Sequence, residues 1–128
     1  MTELERDREA LVIEPHEGCR SLFCDLLVEA GYEPTATGEP REAISFLEQR
    51  RFRVVIASVL STQGQGLRLI ELLREAEPRP VVLLPCAEIG PVKEMVHEAL
   101  GFGELILKTA SIAQFLDMIP RPWTPTVA

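Results

Sequence analysis

The sequence predicts an α/β fold, a parallel β-sheet with helices on both faces. Two observations carry this expectation. Short apolar runs, too short for helices, alternate from end to end with segments whose apolar residues recur at helical spacing. Glycines and prolines fall at the joints between them, and the alternation of five strands with five helices implies parallel pairing and right-handed crossovers.

The elements follow in order. "ALVIE" (10–14) is a continuous apolar run and reads as a central strand covered on both faces. Segment 17–30 places Cys19, Leu22, Phe23, Leu26 and Leu27 at helical spacing, and Gly31 stops it. "YEPTAT" (32–37) is a weaker strand whose Pro34 cannot donate to a ladder, so it belongs at an edge. Pro40 suits a first helical turn, and Ala43, Ile44 and Leu47 form the stripe of that second helix.

"RVVIAS" (53–58) is the second strongly buried strand, and Leu67, Ile70 and Leu73 mark a third helix ending near Ala76. "PVVLLP" (80–85) is a third central strand, bracketed by prolines that set its limits. Pro91 and Gly101 bound a fourth helix at 92–100. "ELILK" (104–108) is the fifth strand, and 111–119 the fifth helix, with Ser111 or Thr109 as N-cap. The ends are expected to lie outside the domain: residues 1–8 as an extension, 9–120 as the folded unit, and 121–128 as a flexible tail or linker start.

Composition narrows the function. The chain has 128 residues and a formal net charge of −7, which disfavours binding to a phosphate backbone and so predicts no nucleic-acid partner. No apolar run approaches the roughly 18 residues needed to span a bilayer, and "MTELERDREA" is too polar for a secretory signal, so a cytoplasmic protein is expected. Cys19, Cys24 and Cys86 make no CxxC pair, and Cys19 and Cys24 point about 140° apart on a helix. They read as buried thiols. His16 and His97 have no partners at metal-ligand spacing, so no metal is expected. "EPHEG" is a poor phosphate-binding loop for a flavin, and no cofactor is expected either.

In a parallel α/β sheet the functional crevice lies at the carboxyl ends of the central strands, here marked by Glu14, Ser58, Pro85 and Lys108. Around those positions the sequence resembles the receiver domains of bacterial response regulators over residues 9–120. "ALVIEPHEGCRSLF" resembles their first strand and helix entry. "AGYEPTATGEPREAISFLEQRRFRVVIASVL" resembles the segment from second strand to third, "GQGLRLIELLRE" the third helix, and "ELILK" the strand that ends in their lysine. The resemblance implies a flavodoxin-like (βα)5 three-layer sandwich with strand order 2-1-3-4-5.

It also implies a function that the residues do not supply. Receivers use two acidic residues after the first strand to hold Mg²⁺, an aspartate at the end of the third strand as phospho-acceptor, a Ser or Thr after the fourth, and a lysine after the fifth. These positions are Glu14 and Pro15, Ser58, Pro85 and Lys108 here. Phosphoryl transfer rests on in-line placement and on neutralising the equatorial oxygens, so losing nucleophile, one metal ligand and hydroxyl together predicts a pseudo-receiver without aspartyl phosphorylation. No catalytic residue is assigned.

A serine needs a base to become nucleophilic, and no histidine or second carboxylate is placed for it by sequence. Glu14 and Lys108 are expected to pair directly or through water, because a buried unpaired lysine is costly. Cys86, at the pocket rim, is a redox candidate, and the vacated pocket is an alternative ligand or redox site.

"SIAQFLDMI" is apolar more widely than one stripe requires, at Ile112, Phe115, Leu116 and Met118 among others. That surface is either a contact patch or is covered by the tail with Trp123. The resemblance points to the same face, formed by the fourth helix, fifth strand and fifth helix, for a homodimer or a protein partner in signalling.

Overall fold

The computed structural model describes residues 8–122. The expected tail, and with it the alternative in which Trp123 covers the fifth helix, lies outside the described residues, as does most of the expected N-terminal extension. The elements run β1 (Glu9–Ile13), α1 (Glu17–Glu29), β2 (Glu33–Thr37), α2 (Pro40–Gln49), β3 (Val54–Ala57), α3 (Gly64–Glu75), β4 (Val81–Cys86), α4 (Pro91–Leu100), β5 (Glu104–Leu107) and α5 (Ile112–Met118). The five strands form one parallel sheet in the order β2-β1-β3-β4-β5. This is the flavodoxin-like (βα)5 sandwich that the resemblance implies.

Strand alternation divides the core in two. Leu11, Ile13, Val55, Ala57, Val82 and Leu84 face one layer, where they pack on Ala43 of α2, on Leu69, Ile70 and Leu73 of α3, and on Val96 and Leu100 of α4. Ala10, Val12, Val54, Ile56, Leu83 and Ile106 face the other, against Phe23, Leu26 and Leu27 of α1 and Phe115 of α5. Both faces of β1 and β3 are therefore dry, which is why those strands are apolar at consecutive positions.

Pro34 sits in β2 at the sheet edge. The ladder to β1 runs through Glu33, whose N–H donates to the Arg8 carbonyl at 2.7 Å, and Thr37, whose carbonyl accepts from Glu14 at 3.0 Å. Backbone direction alternates, so the ring nitrogen of Pro34 points to the open edge.

The punctuation residues act as expected in most places. Gly101 closes α4 at φ +84°, with its N–H on the His97 carbonyl at 3.0 Å. Ser111 caps α5 in a reciprocal capping box with Gln114. Two expectations are corrected. Pro85 does not end the fourth strand but lies inside it, buried, with the strand running on to Cys86. It is tolerated because β3 pairs β4 only as far as Leu83, and the alternation set by Val81, which donates to Arg53, turns the Pro85 nitrogen towards that vacated side. Phe115 is not part of an outward patch. It is 2% exposed, with its ring centroid 5.5 Å from that of Phe23. Leu116 and Met118 are partly buried against the same cluster, leaving Ile112 as the large exposed apolar residue of α5.

Candidate functional site

The carboxyl ends of β1, β3 and β5 bring three of the sequence-predicted residues together. Glu14 follows β1 directly and is 1% exposed. A carboxylate with so little access to water must be neutralised or hydrogen-bonded at both oxygens. The chain supplies both partners. Lys108, just past β5, donates from Nζ to Glu14 Oε1 at 2.6 Å, and the Ser58 hydroxyl, just past β3, donates to Glu14 Oε2. The direct Glu14–Lys108 contact is thus present, without an intervening water. The lysine side chain is 29% exposed, so the buried end of this pair is the carboxylate and the wet end is the ammonium.

Backbone geometry holds the three in place. Ser58 N–H donates to the Ile13 carbonyl at 3.1 Å, continuing the β1–β3 ladder past the last strand residue, and Lys108 N–H donates to the Cys86 carbonyl at 2.8 Å. Two further cations, not singled out from the sequence, complete the surroundings. Lys93, in the first turn of α4, donates to the Ser58 carbonyl at 3.4 Å. Arg20 of α1 donates to the carbonyls of Glu14 and Pro15 at 2.9 and 3.2 Å, tying down the loop that carries the carboxylate. Gly38 leaves room for that guanidinium, since a Cβ there would lie 2.8 Å from Arg20 Nη1. A long side chain reaching back across a loop leaves no periodic signature, so neither contact was readable beforehand.

The remaining candidates stand apart. Pro15 is exposed and Pro85 buried, and neither offers a side-chain donor or acceptor. Cys86 is not at a rim as expected. It is 2% exposed, with Sγ 3.5 Å from the Ile106 carbonyl. Cys19 and Cys24 are half-buried and all three thiols are free. Burial, with a further push from Asp25 against the opposing pull of Arg20, raises the Cys24 pKa above its ordinary value. His16 is not merely solvated, because its Nδ1 accepts from Cys19 N–H at 3.1 Å and caps α1. His97 Nε2 lies 2.8 Å from the Gly103 carbonyl, a structural contact.

A divalent cation fits this donor set poorly. Mg²⁺ binds through hard oxygen ligands in octahedral geometry, usually carboxylates. Glu14 is the one carboxylate in the cluster, and both of its oxygens already accept from Lys108 and Ser58. Among the described residues no group of three or more His, Cys, Asp or Glu side chains is arranged to hold a metal. Ser58 has a carboxylate on its hydroxyl after all, and the other oxygen of that carboxylate is held by the Lys108 ammonium.

No protein-family model matches the chain, and no curated protein sequence matches it. Solved structures do. The chemotaxis protein CheY4 of Vibrio cholerae superposes with a TM-score of 0.73 at 22% identity, covering 90% of this chain and 98% of that one. A response regulator from Burkholderia pseudomallei, solved with a phosphorylated aspartic acid, a calcium ion and citrate, gives 0.73 at 18% identity, over 88% of this chain and 66% of that one. The receiver domain of sensor histidine kinase PA1611 from Pseudomonas aeruginosa, with a magnesium ion in its active-site cleft, gives 0.70 at 17%, over 87% and 93%. The chain has the fold of these receiver domains. No helix among the described residues is long and apolar enough to cross a membrane.

Proposed function

We propose that this chain is a pseudo-receiver, a signalling module with the receiver fold that works by protein–protein contact and not by aspartyl phosphorylation. The observation that carries this reading is the Glu14–Lys108–Ser58 cluster. At the strand ends where a receiver gathers carboxylates around a metal, this chain has one buried carboxylate, neutralised by its own lysine and hydroxyl. A phosphoryl group arriving there would find Lys108 already engaged by Glu14 and no acceptor carboxylate at Ser58. The module is non-catalytic and cytoplasmic, and needs neither metal nor cofactor.

Contact with a partner falls to the face made by α4, β5 and α5. Val92 and Met95 on α4, Leu107 on β5 and Ile112 on α5 are large apolar residues that remain exposed there. The redox reading of the pocket is not favoured, because burial keeps the Cys86 thiol from solvent oxidants.

The test is incubation of the protein with Mg²⁺ and a small acyl-phosphate donor, followed by intact mass. An unchanged mass is expected. A stoichiometric phosphate adduct would falsify the reading.

A further inference from the structure

The C-terminal part of the domain carries its two charge signs unequally. Between residues 80 and 120 the only lysines or arginines are Lys93 and Lys108, and both turn inward, to the Ser58 carbonyl and to Glu14. Glu88, Glu94, Glu98, Glu104 and Asp117 are all exposed, and none of their carboxylates has a hydrogen bond or ion pair among the described residues.

Large apolar side chains are exposed on the same segment. Ile89 stands in the loop before α4, and Val92 and Met95 on α4 itself are 72% and 57% exposed. Three residues apart on a helix, Val92 and Met95 share one side, and Glu94 and Glu98, four apart, form another exposed row. Val96 and Leu100 take the inward side and hold α4 on the core. The helix therefore shows solvent an apolar stripe with a border of unpaired carboxylates.

We propose that this stripe docks a partner helix that is apolar along one side and rich in Lys or Arg along its flanks. The proposal rests on the protein-contact reading above and names the chemistry of the partner. Exposed apolar side chains that cluster, with a methionine among them, mark a contact surface. The border decides between occupants. A second copy of this chain would set Glu94 and Glu98 against their own images in a two-fold dimer, with neither lysine free to separate them. An anionic membrane surface and a phosphate backbone are repelled in the same way. A cationic amphipathic helix buries the stripe and pairs with the border in one contact.

The test is fluorescence anisotropy of a labelled helical peptide of about 18 residues, leucine on one side and lysine on both flanks, titrated with the whole chain. Saturable binding in the micromolar range, weakened by added salt, is expected. A peptide of the same pattern with glutamate for lysine should not bind. Glu94→Lys with Glu98→Lys should weaken binding about tenfold. Glu29→Lys with Glu33→Lys, the same charge change at exposed positions on α1 and β2, should leave it within about twofold. Met95→Asp separates docking from charge attraction alone. It adds a negative charge, which strengthens a purely electrostatic contact, and removes an apolar one, which should weaken binding severalfold. These positions are all exposed, so an unchanged Tm is expected in every variant. Absence of saturable binding, equal loss from the two charge reversals, or tighter binding to Met95→Asp would overturn the proposal. So would a concentration-dependent dimer in sedimentation that Met95→Asp dissolves, since the stripe then belongs to a second copy. Any of these results leaves the phosphorylation-independent reading standing, which the phosphate-adduct measurement decides separately.

Discussion

Lys108 Nζ donates to Glu14 Oε1 at 2.6 Å, and the two ends of that bond have unequal access to water, 29% for the lysine side chain and 1% for the glutamate. The inequality gives the pair a direction. Removing the lysine strands a carboxylate in the core, whereas removing the carboxylate leaves an ammonium that can turn to solvent. Lys108→Met is therefore expected to cost about 2–4 kcal/mol, and Glu14→Gln about half as much, read as shifts of the urea midpoint. The double substitution should recover part of the loss, giving a coupling energy of about 1 kcal/mol or more between residues that act as a unit.

Ser58 contributes through its hydroxyl, which donates to the other oxygen of Glu14. Ser58→Ala should cost about 1–2 kcal/mol, the loss of one partly buried hydrogen bond to a charged group. Ser58→Asp, which reinstates a carboxylate at the strand end, should be more damaging than Ser58→Ala. It sets a second negative charge beside the buried Glu14 and makes the two compete for one lysine. Equal stability of the two variants in thermal unfolding would contradict this picture of the cluster.

The fifth helix separates packing from surface. Phe115 is buried against Phe23, and Phe115→Ala should destabilise by about 3–5 kcal/mol. Ile112, one turn earlier and 55% exposed, should tolerate Ile112→Ala within about 0.5 kcal/mol. If the α4–β5–α5 face binds a partner, the Ile112 change and Met95→Asp should reduce that binding while leaving unfolding unchanged.

Thiol chemistry should be slow at two of the three cysteines. Burial raises the Cys24 pKa, so the thiolate fraction at neutral pH falls below that of a free cysteine, and Cys86 is closed to solvent. Timed alkylation followed by peptide mapping should label both more slowly than a small free thiol, with the Cys24 rate climbing as pH is raised.

The fold was legible because its signals are local and repeated. Consecutive apolar residues in β1, β3 and β4 announce strands covered on both sides, and Gly31, Pro40, Pro91, Gly101 and Ser111 mark ends that the backbone confirms within a residue or so. Pro85 misled because a proline is tolerated in a strand once the neighbouring ladder has stopped, and where a ladder stops is a property of two strands. Phe115 misled because a seven-residue helix is too short for periodicity to say which apolar residues turn inward. In the candidate site, Glu14, Ser58 and Lys108 could be found because strand ends converge in any such sheet. Lys93 and Arg20 could not, since their roles depend on where a long side chain comes to rest.

Lys108 and Ser58 satisfy both oxygens of Glu14, and on the proposed reading that carboxylate takes no metal. This is tested by titrating Mg²⁺ into the protein and following the backbone amide resonances of Glu14, Ser58 and Lys108. These resonances should stay in place through the millimolar range, with only the small, non-saturating drift of ionic strength. A saturable displacement of all three would show that Mg²⁺ draws Glu14 away from Lys108, and would contradict a self-neutralised site.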